Sequence, residues 1–130
     1  NMTTFRELLL ISNSNYEPNK RSSLDEWFSG ILDISLDELD VSDVARAIRQ
    51  DLFLAAVLPK AEIILKKNPL AGDDYDGQLI SSIASLNSEK IKVALPCFRR
   101  VSSLLNQLDK NSLDAQLVMD IEKIEKLSRP

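Results

Sequence analysis

"LFLAAVLPKAEIIL", residues 52–65, is apolar at eleven of its fourteen positions. A helix that is apolar nearly all round is a buried one, so this stretch predicts the central helix of a helical bundle. Pro59 stands inside it. Proline removes a backbone donor and clashes with the preceding turn, so a kink or a split is expected there.

The same period continues on both sides. Upstream, Val41, Val44, Ala45 and Ile48 fall at i, i+3, i+4 and i+7, with Ser42 as the expected N-cap. Before that, Leu24, Trp27, Phe28, Ile31 and Leu32 mark another helical face behind a capping box of Ser23 and Glu26. Ser35 and Glu38 repeat the box over a short turn. Phe5, Leu8 and Leu9 mark a first short helix, followed by the polar loop "SNSNYEPNKRSS". Downstream, Leu79, Ile80, Ile83, Ala84 and Leu86 give one helix. Ile91 to Leu108 give a long one bent by Pro96. Leu113, Leu117, Ile121 and Ile124 give the last, with Glu122 and Lys126 as an i,i+4 pair. No stretch keeps a period of two long enough for a strand. The expectation is an all-α, single-domain bundle of about seven helices over residues 2–130. Asn1 before Met2 reads as a tag remnant.

Composition narrows the function classes. The chain has 130 residues, 44% hydrophobic and 28% charged, the balance of a folded globular protein. Its net charge of −4 argues against direct binding of nucleic acid, which needs clustered Lys and Arg, and suits a basic protein partner. Lys60, Lys66, Lys67, Lys90, Lys92, Arg99 and Arg100 are spread along the second half and read as a solvated face. One cysteine and no histidine exclude an internal disulfide and a Cys/His zinc site, and fit a reducing, cytoplasmic compartment. Cys97 has no histidine to activate it, so it reads as a small buried hydrophobe. No apolar run reaches the roughly 18 residues of a membrane span. Leu8 to Ile11 is too short for a signal peptide and lacks a basic lead.

"NPLAGDDYDGQLI", residues 68–80, offers three aspartates and invites a metal reading. An EF-hand loop needs oxygen ligands at positions 1, 3, 5 and 12 around a glycine at 6. Setting Gly77 at 6 places Gly72 at 1 and Ile83 at 12, and neither supplies a side-chain oxygen. No cofactor, metal or catalytic group is therefore expected. The stretch reads as a helix–helix connection. Asn68 and Pro69 stop the preceding helix, Gly72 supplies a positive φ, and Asp73, Asp74 or Asp76 caps the following helix.

Charge is unevenly placed. Residues 24–51 carry eight acids and two bases, and between Asp33 and Asp43 there are five acids and no base. Helix-dipole complementarity explains part of this. The remainder points to a docking surface for a basic partner, led by Asp33, Asp37, Glu38, Asp40 and Asp43 and extended by Asp73, Asp74 and Asp76.

Residues 34–83, "ISLDELDVSDVARAIRQDLFLAAVLPKAEIILKKNPLAGDDYDGQLISSI", resemble the immunity proteins of bacterial contact-dependent growth inhibition (CDI) systems. The resemblance rests on Leu36, Leu39, Val44 and Arg46, then on Gln50 before an apolar helix with inner Pro59. Its most specific part is Asn68, Pro69, Leu70, Ala71, Gly72, Asp73, Tyr75, Gly77 and Leu79. The chain departs from the pattern at three places. One residue fewer separates Ala71 from Gly72, Asp76 replaces a proline, and a glycine after the Gln-bearing turn is absent, with Asp51 in that region. The resemblance implies a cytoplasmic, noncatalytic inhibitor that forms a 1:1 complex with the C-terminal domain of one cognate toxin. Such toxins are often nucleases acting on tRNA or DNA, and an acidic inhibitor would occlude a basic cleft. Gln50, Pro59, Asn68, Pro69, Leu70, Gly72, Tyr75 and Gly77 would then serve the fold, with the tyrosine packed on the central helix. The competing expectation is a small helical transcription regulator or adaptor.

Overall fold

The apolar stretch forms a helix, α4 (Leu54–Lys67), in the computed structural model of the chain, which describes residues 3–12 and 22–130. It starts two residues late because Phe53, its N-cap, takes left-handed dihedrals (φ 50°, ψ 51°). It also runs through Pro59 without splitting. Val57, Leu58 and Ala61 are buried on both sides of the proline, and their packing offsets the lost backbone bond. The other helices are α1 (Phe5–Ile11), α2 (Ser23–Ile31), α3 (Val41–Arg49), α5 (Gln78–Ala84), α6 (Leu95–Asn106) and α7 (Ala115–Ser128). Short 3-10 turns span Leu36–Glu38, Lys90–Ala94 and Lys110–Ser112. No strand forms among the described residues, so the chain is all-α, as the periodicity predicts.

The chain divides into two compact units, Asn1–Leu39 and Asp40–Pro130. In the first, Phe5 of α1 is fully buried and meets Phe28 of α2 edge-on, with ring centroids 5.2 Å apart. Backbone bonds from Arg6 N to Leu32 O and from Leu36 N to Thr3 O fasten α1 to the segment after α2. The N-cap of α2 is Ser22, not Ser23. Its hydroxyl accepts from Asp25 N, one residue ahead of the expected box. The expected polar loop lies largely outside the described residues.

The second unit is a closed ring of helices. α3 packs on α4, α4 on α6, α6 on α7, α7 on α5, and α5 back on α3. α5 is only seven residues long, yet six of them are buried, including Leu79, Ile80 and Ile83 at 0% exposure. The predicted long helix around Pro96 is instead a 3-10 turn followed by α6, with Pro96 in the first turn of α6. A first-turn N–H has no helical acceptor, so proline costs little there and marks a start, not a bend. At the end of α7 the i,i+4 ion pair joins Glu125 to Arg129, its C-cap, at 2.7 Å, and among the described residues no ion pair forms between Glu122 and Lys126.

Candidate acidic interface

The 68–80 stretch is a tightly wound connection. Asn68 Oδ1 accepts from Leu70 N, Ala71 N donates to Asn68 O, and Gly77 N donates to Leu70 O. Gln78 plugs the loop from inside. Its Oε1 accepts from Asp73 N at 2.9 Å and Asp74 N at 3.2 Å, while its Nε2 donates to Asp74 Oδ2 at 3.0 Å. Gly72 is required for close approach, because a Cβ there would collide with the Tyr75 carbonyl and the Gln78 side chain. The positive φ expected at Gly72 occurs at Gly77 (84°), which opens α5 and sits against Leu117 of α7.

Asp73 does not cap α5, the helix that follows it. Its Oδ2 accepts the backbone N–H of Ser42 at 2.8 Å, across 31 residues of chain. Ser42 is the second residue of α3, whose N-cap is Asp40 and not Ser42. The Asp40 side chain makes no capping bond, so Asp73 supplies the acceptor that the local sequence withholds. A carboxylate at this position also faces the positive end of the α3 dipole.

This bond brings two acidic segments of the second unit together. Asp40 and Asp43 lie at the start of α3, and Asp73, Asp74 and Asp76 lie on the loop that caps it. Asp40, Asp73, Asp74 and Asp76 are exposed and Asp43 is half-buried. Asp40 and Asp76 make no side-chain hydrogen bond or ion pair among the described residues. Tyr75 is half-exposed, and its hydroxyl accepts from Arg49 of α3 at 3.4 Å. The same guanidinium donates to Ser81 of α5 at 2.9 Å, so Arg49 ties α3 to the loop and to α5.

The other predicted acids belong to the first unit. Asp33 is committed to Arg6, whose Nε and Nη2 lie 2.6 and 3.1 Å from its two oxygens. That guanidinium holds Asp33 below the ordinary carboxylate range. Asp37 and Glu38 are exposed on the 3-10 turn, where Ser35 Oγ accepts from Asp37 N. Among the described residues no three metal-ligating side chains are grouped to hold an ion, and no helix is long and apolar enough to cross a membrane.

The helix-ending residues follow the resemblance and its departure. Gln50 caps the C-terminus of α3, Asp51 N donates to Ile48 O, and Leu52 N donates to Ala47 O. This pair of bonds is a Schellman closure, which places its next residue in the left-handed region and favours glycine. Asp51 holds that position at φ 55°.

Glu62, the one acid in the apolar helix, has a role that periodicity and acid counting do not show. Only 7% exposed, it accepts from Arg100 of α6 through Nε at 3.0 Å and Nη2 at 3.2 Å, and from Cys97 Sγ at 3.5 Å. The Arg100 hydrogen bonds hold Glu62 below the usual carboxylate range against the opposing effect of burial. Burial, with the Glu62 charge next, pushes the Cys97 thiol up to about 11. A lone acid one residue after buried Ala61 and three before buried Leu65 was the available sign, because such a charge needs a partner.

Among known proteins, the family model described as CDI immunity proteins matches residues 10–101. No curated protein matches the chain.

Proposed function

The chain belongs to the CDI immunity proteins, and from that membership we propose that it neutralises one cognate toxin domain by direct, noncatalytic 1:1 binding in the cytoplasm. Immunity against a CDI toxin is the function of the family. The toxin is proposed to be a nuclease, with tRNA as its substrate. Such an enzyme must attract phosphates, so its cleft is basic, and an acidic inhibitor occludes it by taking the place of the nucleic-acid backbone.

One observation carries the choice of surface: the Asp73–Ser42 bond at 2.8 Å. It joins the segment of Asp40 and Asp43 to the loop of Asp73, Asp74 and Asp76, and so supports reading these two separate runs of sequence as one acidic face. Asp33, Asp37 and Glu38 are the remaining candidates, and Asp33 is the weakest because Arg6 already neutralises it. An inhibitor of a lethal enzyme needs an affinity of nanomolar order or better, about −12 kcal/mol.

Calorimetry with the purified cognate toxin domain at low and high salt tests both levels. Nanomolar binding that weakens as salt rises supports the family function and the acidic face together. Tight binding that ignores salt keeps the function and removes the acidic face. Absence of binding removes this toxin as the partner. Cleavage of tRNA by the toxin, suppressed by an equimolar amount of this protein, tests the substrate.

A further inference from the structure

The second unit draws three of the seven scattered basic residues into one place. A groove of about 390 Å³ runs between α4 and α6, lined by Lys66 from α4, by Arg99, Arg100 and Ser103 from α6, and by Gln107, the C-cap of α6. Arg99, Ser103 and Gln107 are spaced four apart and so form one row along the helix.

Each cation is anchored and still has donors to give. Arg100 is fixed by buried Glu62 through Nε and Nη2 and also interacts with Cys97, while its side chain stays exposed at the groove. Arg99 Nε donates to the Ser128 carbonyl at the end of α7 at 3.0 Å, and both its terminal nitrogens are left without a bond among the described residues. Lys66 Nζ is 3.8 Å from the same Glu62 oxygen that Arg100 Nε holds. Burying a carboxylate is expensive, and here the burial fixes a guanidinium that is itself 58% exposed at the groove.

We propose that this groove binds a phosphate monoester, with its phosphoryl group held between Lys66, Arg99 and Arg100. Three cations against the single carboxylate of Glu62 leave two positive charges. A phosphate monoester carries roughly −1.5 to −2 at neutral pH and matches them, where a lone carboxylate would leave one over. Planar guanidinium forks also suit tetrahedral oxoanions better than point charges do. The volume lies within the range of small-molecule sites, roughly 300–1,000 Å³. Leu104, Ser103 and Gln107 offer apolar surface, a hydroxyl and an amide to the organic part of the ester. The proposal does not depend on the acidic face or on the toxin.

The test is a heteronuclear NMR titration of the whole chain at low ionic strength with inorganic phosphate, and separately with adenosine 5′-monophosphate. Saturable shifts confined to residues 62–66 and 99–107 are expected, with a dissociation constant of about 1 mM or tighter. Lys66→Ala and Arg99→Ala remove exposed side chains, leave the core intact, and each weakens binding at least ~10-fold by losing a charge-assisted contact. Lys123→Ala, an exposed residue that does not line the groove, leaves it unchanged. Tighter binding of the nucleotide assigns Ser103 and Gln107 to the organic part, and equal affinities assign the site to the phosphoryl group alone. Shifts that fail to saturate, or that persist in both groove variants, overturn the proposal.

Discussion

Asp73 separates stability from charge in the acidic face, and its variants measure the difference. Asp73→Ala removes the acceptor for Ser42 N and the negative charge at the start of α3. The lost cap costs about 1 kcal/mol. The lost charge–dipole interaction adds about 0.5 kcal/mol at an exposed helix end. The sum is about 1.5 kcal/mol. Asp73→Asn keeps a carbonyl oxygen for Ser42 and loses only the charge, so it costs about 0.5 kcal/mol. Asp76→Ala is the control, since Asp76 makes no side-chain bond among the described residues, and its cost is close to zero. Urea unfolding followed by circular dichroism gives the three values, read as midpoint shifts at constant slope. The melting temperature should fall by roughly 5 °C for Asp73→Ala. If Asp73→Ala and Asp76→Ala are equally stable, the loop does not cap α3 in solution. The two acidic segments then lose the bond that joins them.

Other outcomes follow from the same geometry. Asp51→Gly should stabilise the fold by about 0.5 kcal/mol, because glycine meets the left-handed C′ position without the steric cost of a Cβ and gives back part of that gain as unfolded-state entropy; a loss of stability in urea would contradict the Schellman geometry. Glu62 should make unfolding acid-sensitive. The Arg100 hydrogen bonds lower its folded pKa from the ordinary value of 4.5, so its contribution is complete above that value and is lost as pH falls through the lower folded pKa. Arg100→Met should flatten this part of the stability-versus-pH curve, and a curve that keeps its shape would show the pair to be inert. Cys97 is 6% exposed and its thiol is pushed up to about 11, so a disulfide reagent near neutral pH should label it only after unfolding. Fast labelling of the native protein would refute its burial. Asp76→Asn should slow association with the toxin domain without changing the melting temperature, and an unchanged association rate at low salt would move the contact elsewhere.

Periodicity carried most of the fold because it records burial directly. Leu79, Ile80 and Ile83 fall at helical spacing, and all three are fully buried on α5. Boundaries were less legible where two rules competed. Pro59 and Pro96 look alike in sequence, yet one lies inside a continuous helix and the other begins one. The first is held by buried neighbours on both sides, and the second stands where a missing N–H costs nothing. Glycine roles are hard to read in sequence for a related reason. Gly72 is needed because Tyr75 and Gln78 fold back onto it, and a contact made by chain reversal leaves no mark on the residue itself.

The acidic site was legible as charge and illegible as arrangement. Counting acids treats Asp33, Asp40, Asp73 and Asp76 as equivalent. Arg6 occupies both oxygens of Asp33, and Ser42 takes one oxygen of Asp73. A capping rule read along the chain looks for a helix just ahead, but the acceptor for α3 comes from 31 residues away. That bond also explains why Asp40 can leave its own cap position unused: the orphan N–H at Ser42 is already satisfied, so the Asp40 carboxylate is free to face solvent. An N-cap residue with no capping bond, beside a distant carboxylate that makes one, releases one charge by committing another. The salt dependence of toxin association should therefore follow Asp40, Asp74 and Asp76 more closely than Asp33 or Asp73. Charge-neutralising variants of the two groups, compared at low salt, separate an acidic face built for a partner from one built only to start a helix.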